Sequence, residues 1–219
     1  KESYVREAKR YIIPNIYNNN DFNQIVNGEI MGMPNNNLGL NSKKPYLVNH
    51  SRKISVPYLL NQKDVLLQAK FYDVLMGFAS KGQVNIYFDQ LHNQIIPLKA
   101  GEHPKNSLCG YFLRIKKGKE VEIQNADTIV SYNPNLVPVF NHKELLKAER
   151  DDFGSVNKKK ILESLIDDIF FNKSLVQNYF TKSEDLMIRD GAIFNQLVAV
   201  RERLFSWFYK NDGVDIWPA

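Results

Sequence analysis

The chain has 219 residues, enough for one large domain or two small ones at about 100–200 residues each. Its 43% apolar, 12% aromatic and 24% charged residues suffice to bury a core, which excludes wholesale disorder. No apolar run nears the roughly 20 residues of a membrane-spanning helix. The single cysteine, Cys109, excludes an internal disulfide and a zinc site built on paired cysteines, and suits a reducing, cytoplasmic setting. The first residue is Lys1 rather than Met, nothing near it resembles a secretory signal, and the chain reads as a piece of something larger.

The formal net charge is +5, unevenly placed. Residues 1–150 carry 20 Lys/Arg against 13 Asp/Glu, and residues 151–219 carry 9 against 11. A basic balance favours an anionic partner, with nucleic acid the commonest, although many solvated surfaces carry the same balance.

In chain order, Ser3 to Ile12 fits a short helix that Ser3 caps and Pro14 stops. The Asn, Gly and Pro density that follows, to about residue 42, reads as loop. Gln62 to Ala79 reads as the clearest helix of the first half, with Asn61 as N-cap, Asp64 in the first turn and Gly82 beyond the end. The period then changes to two. Val84–Phe88 and Gln94–Leu98 read as strands joined near His92-Asn93. In the next pair, Cys109, Tyr111, Leu113 and Ile115 alternate on what reads as the core face. Val121 and Ile123 continue it across a turn at Lys116–Lys119. Thr128–Tyr132 fits one more strand before a loop holding Pro134 and Pro138.

Beyond about Asn141 the apolar spacing is helical. Ile161 to Val176 reads as one long helix and Leu186 to Phe208 as another. The expected fold class is α+β: an irregular basic N-terminal segment with a helix, a small antiparallel sheet with hairpins, and a C-terminal helical hairpin or bundle. The expected division is 1–140 and 141–219.

Two basic segments are candidates for nucleic-acid contact. The first, residues 43–53, holds Lys43, Lys44, Arg52 and Lys53 with Tyr46 and Asn49 between them. Cations neutralise phosphates, a tyrosine stacks on a base and an asparagine reads a base edge. The second is the hairpin tip, with Arg114, Lys116, Lys117 and Lys119. A two-stranded ribbon fits a groove, and lysines equally keep sheet edges soluble. Both segments are also what a solvated surface looks like.

His50, His92, His103 and His142 are scattered without metal-ligand spacing, and Asp167 and Asp168 diverge by about 100° on a helix. There is no phosphate loop, dinucleotide fingerprint or nucleophile elbow. Nothing calls for a catalytic residue, a metal or a cofactor. A nuclease whose acids converge only in the fold remains an alternative. So does an interaction scaffold docking through Trp207, Phe208, Tyr209 and Trp217.

The stretch Gly32–Asp89 resembles the large subunit of the type I-B CRISPR interference complex, Cascade. The resemblance lies in Leu38–Pro45, in Arg52-Lys53 with Val56-Pro57-Tyr58, in Leu67 through Met76, and in Asn85-Ile86-Tyr87. It implies a non-catalytic subunit that helps recognise the short motif beside a DNA target and stabilises the opened DNA. Its implied partners are the target DNA, the guide RNA complex, the other Cascade subunits and a helicase-nuclease that docks on it. The family's C-terminal helical bundle matches the helices expected after Ser155.

Overall fold

The computed structural model describes residues 2, 3, 6, 7, 16–18, 20–35, 58–140 and 156–211. The fold is α+β, with small antiparallel sheets and a helical C-terminal part. Contacts divide the chain into two units, residues Lys1–Ser80 with Lys117–Glu122 and residues Lys81–Lys116 with Ile123–Ala219.

The first unit contains a three-stranded sheet in the order β1 (Gln24–Val26), β2 (Glu29–Gly32), β3 (Leu60–Asn61). This corrects the expected loop. The Asn27-Gly28 pair, with φ of 52° and 80°, closes a two-residue hairpin of the kind that needs left-handed backbone at both positions. Tyr17 is buried there, its hydroxyl 3.0 and 3.1 Å from the carbonyl oxygens of Ile30 and Leu60. Gly32 makes room for it, since a Cβ would come within 2.5 Å of the Tyr17 ring. Helix α1 (Gln62–Ser80) follows the sequence expectation, and Asp64 N–H donates to Asn61 Oδ1 at 2.8 Å. Its buried side is Val65, Tyr72, Leu75 and Ala79.

The second unit is built on a four-stranded antiparallel sheet in the order β5 (Gln94–Lys99), β4 (Gln83–Asp89), β6 (Leu108–Lys117), β7 (Val121–Tyr132). On its core face, Tyr87 and Phe112 are cross-strand partners with ring centroids 5.0 Å apart. The face assigned from sequence was the other one. Cys109, Tyr111 and Leu113 lie opposite Phe112, and Tyr111 is 51% exposed while Phe112 is fully buried. Both faces of this strand are apolar, so alternation alone could not choose between them. The strand even buries Ile115 on the second face.

Pro138 belongs to β8 (Asn135–Phe140) rather than a loop, and β8 pairs with β9 (Val156–Lys158) ahead of the helices. The long helix expected over Ile161–Val176 is two: α2 (Lys159–Phe171) and a single turn α3 (Leu175–Asn178). Asn172 and Lys173, with φ of 48° and 63°, end the first in left-handed backbone. Asp167 Oδ1 then accepts the Leu175 N–H at 2.7 Å. The last helix, α4 (Gly191–Phe205), starts five residues later than expected. There Asp190 caps the Ala192 and Ile193 N–H groups, and the helix runs into a π-helical turn, Ser206–Lys210.

Sheet and helices share one core. Tyr87, Phe112, Ile129 and Tyr132 pack with Leu162, Leu165, Leu197, Phe205 and Phe208. Packing therefore does not divide at 140/141.

Candidate nucleic-acid interface

Of the expected contact residues, Lys43, Lys44, Asn49, Arg52 and Lys53 lie outside the described residues. At the hairpin tip, Lys116 and Lys117 end β6 and Lys119 sits in the turn, all exposed. The Gly118 N–H closes that turn on the Glu120 carbonyl at 3.2 Å. Glu120 and Glu122 are exposed beside the lysines, so the tip is cationic by a single charge. The hairpin's base is anchored by Ile115 and Val121, both buried.

Arg114 does not belong with them. It lies on the core face as the cross-strand partner of Asn85, and its Nη1 donates to Asn85 Oδ1 at 2.8 Å. The guanidinium carbon sits 5.2 Å from the Phe180 ring centroid. Loss of water lowers its pKa, while nearby tyrosines and Glu163 favour the charged form. Two residues of strand separate Arg114 from Lys116, and that is enough to move a cation from the interior to solvent.

Sequence reasoning missed a buried polar hub in the second unit. His103 Nε2 lies 2.6 Å from Glu163 Oε2, and both residues are buried. The Tyr179 hydroxyl donates to Glu163 Oε1 at 2.7 Å and the Tyr209 hydroxyl to Oε2 at 3.2 Å. Three donors thus converge on one carboxylate. Tyr209 also accepts the Gly101 N–H at 3.2 Å and stacks on the His103 ring, centroids 4.4 Å apart. His103 Nδ1 is 3.4 Å from the Tyr132 hydroxyl, and the Tyr87 hydroxyl donates to the Tyr209 carbonyl at 3.1 Å. Burial drives the pKa values of Tyr87, Tyr179 and Tyr209 well above the ordinary tyrosine range, with the Glu163 charge adding to it. The hub's hydrogen-bonding capacity is spent internally, which makes it a structural device. Its only sequence signal was the set of residue types, because His103 and Glu163 are 60 positions apart.

Lys159 is a second buried cation. Its Nζ donates to the Trp207 carbonyl at 3.2 Å and to Asn211 Oδ1, and lies 4.9 Å from the Tyr132 ring centroid. Desolvation brings its pKa down to about 8. At the other end of β4, His92 Nδ1 is 2.6 Å from Asp89 Oδ2. Burial alone would raise the Asp89 pKa, but hydrogen bonds from His92, Gln94 and the Leu91 N–H outweigh it and hold it below the usual value. Asp167 is a cap, and Asp168 faces Lys173 at 3.8 Å.

Among the described residues, no three His, Cys, Asp or Glu side chains are grouped to hold a metal ion, and no helix is long and apolar enough to cross a membrane. The aromatic tail of the scaffold alternative is largely internal, since Phe208 and Tyr209 are core residues; Trp217 lies outside the described residues. In the first unit, Tyr17, Glu29, Asn61, Lys63 and Leu66 line an open depression of about 560 Å³. No family model, curated protein or solved structure matches the chain.

Proposed function

We propose that the chain is a non-catalytic, nucleic-acid-binding part of an RNA-guided DNA surveillance complex, of the kind formed by the type I-B Cascade large subunit. In this reading it contributes to recognising and holding opened target DNA beside a guide RNA complex, other subunits and a helicase-nuclease. The supporting observation is the tip at Lys116, Lys117 and Lys119, exposed at the end of a ribbon whose base is buried. The basic excess over residues 1–150 and the resemblance over Gly32–Asp89 point the same way. Guide-directed complexes leave most sequence reading to base pairing, so their proteins supply cationic surfaces more than base-reading side chains.

The test is binding to duplex and single-stranded DNA across a salt series. Binding weakens steeply with salt, and each phosphate contact contributes a slope of about 0.9 on duplex DNA. Replacing all three tip lysines with alanine lowers affinity and flattens the slope, while the melting temperature stays that of the parent. An unchanged slope removes the tip from the interface. A tagged chain that copurifies from cells without nucleic acid or guide-complex proteins overturns the assignment as a whole.

A further inference from the structure

We propose that the open end of the four-stranded sheet is a stacking platform for an unpaired base, with Tyr111 as its π-surface. This rests on the nucleic-acid reading above and names the chemistry it would use.

The face of β4, β5 and β6 opposite the helices carries a cross-strand row. Phe88 pairs with Tyr111 on one side and with Ile95 on the other, so the three side chains run across three adjacent strands. With strands about 4.8 Å apart, the row spans about 10 Å, the scale of a base. Farther along the same face Ile86 and Ile115 are buried, but at this row the face opens: Tyr111 is 51% and Ile95 48% exposed. Leu91, in the adjoining turn, is 64% exposed. The platform is stiff. Gly110, with φ of +141°, lets β6 approach β4 so closely that a Cβ there would sit 2.0 Å from the Phe88 carbonyl oxygen. The Gln90 N–H continues the ladder to the Cys109 carbonyl at 2.8 Å.

The surrounding charge favours a nucleic-acid strand over an apolar protein segment. Lys105, three residues ahead of β6, and His92, in the turn leading to β5, are exposed on the two segments that flank the row. The one carboxylate at this end of β4, Asp89, shares the core face with Tyr87 and is held by His92, Gln94 and the Leu91 N–H. An aromatic ring on a central strand, with a rim free of exposed carboxylate on β4, β5 and β6, suits a base on the ring and phosphates along the edge.

The experiment measures binding of the full chain to a labelled oligothymidine single strand and to an abasic strand of the same length. Variants are Tyr111→Ala, Tyr111→Leu and Tyr111→Phe, each checked by thermal melting. Stacking predicts that Ala and Leu weaken oligothymidine binding about tenfold while Phe retains it. On the abasic strand all four proteins bind alike, and the salt slope is constant because no charge is removed. A Tyr111→Ala variant within twofold of the parent on oligothymidine overturns the platform alone. So does a Leu variant equal to Phe, since apolar area without a ring would then suffice. A parent protein that binds neither strand overturns the nucleic-acid reading and the platform with it.

Discussion

The hub around Glu163 and the tip around Lys117 are the two most charged and polar places described in this chain, and they behave as opposites. In the hub every donor has an acceptor within the molecule, and water is excluded. At the tip the ammonium groups face solvent and keep their donors free for an external anion. Polarity inside the core fixes geometry. Polarity at a hairpin end is available for binding. Arg114 and Lys116 draw that line within a single strand.

Three substitutions test the contrast. The largest effect belongs to Glu163→Ala, which strips acceptors from His103, Tyr179 and Tyr209 at once. Leaving buried donors unpaired costs on the order of 3–5 kcal/mol, seen as a large fall in the denaturation midpoint. A loss under about 1 kcal/mol would show that water replaces the carboxylate and that the hub is not closed. Next comes Arg114→Ala, expected to cost about 2 kcal/mol through lost packing and a stranded Asn85. Its salt slope for DNA should match the parent, unlike that of the tip variant. A flatter slope would return Arg114 to the interface.

The smallest effect is in the pH profile. Lys159 has a folded pKa of about 8 against an ordinary 10.5, so the folded state sheds this proton first. The cost of burying the ammonium is complete below pH 8 and fades as the pH rises toward 10.5. A shift of that size corresponds to roughly 3 kcal/mol at most. The hydrogen bonds to Trp207 and Asn211 favour the cation and reduce the expected gain to about 1 kcal/mol. Urea midpoints should therefore rise between pH 8 and 10 in the parent and stay flatter in Lys159→Met. The raised tyrosines set the upper limit, because their stabilising contribution is lost as the pH climbs through their folded pKa values. Equal slopes in both proteins would show that Lys159 does not titrate in this window.

The sequence disclosed elements better than faces. Helix α1 and strands β4 and β5 follow from capping and alternation, which are local. The choice of face in β6 is not local. Leu108 and Phe112 compete with Tyr111 and Leu113, and the aromatic partners that settle it, Phe205 above all, lie some ninety residues on. The break at Asn172-Lys173 had a signal in its asparagine, but the apolar spacing continued through it and masked the stop. The Asn27-Gly28 hairpin was legible and was hidden by the surrounding asparagines. At the candidate interface the tip lysines were readable as a charge run. The burial of Arg114 was not, because it depends on Asn85 and Phe180 from other elements.

The Tyr87 hydroxyl reaches the Tyr209 carbonyl across 122 positions, and the Gly101 N–H reaches the Tyr209 hydroxyl across 108. A core closed by such contacts waits for nearly the whole sequence to be synthesised. During translation, at about 5–20 residues per second, the sheet spends several seconds without the turn that completes it. In that interval the apolar core face around Phe112 is bare, and the nascent chain is most exposed to misassociation or to capture by chaperones. Substitutions in the Ser206–Lys210 turn should therefore lower yield in cells out of proportion to their effect on the finished protein.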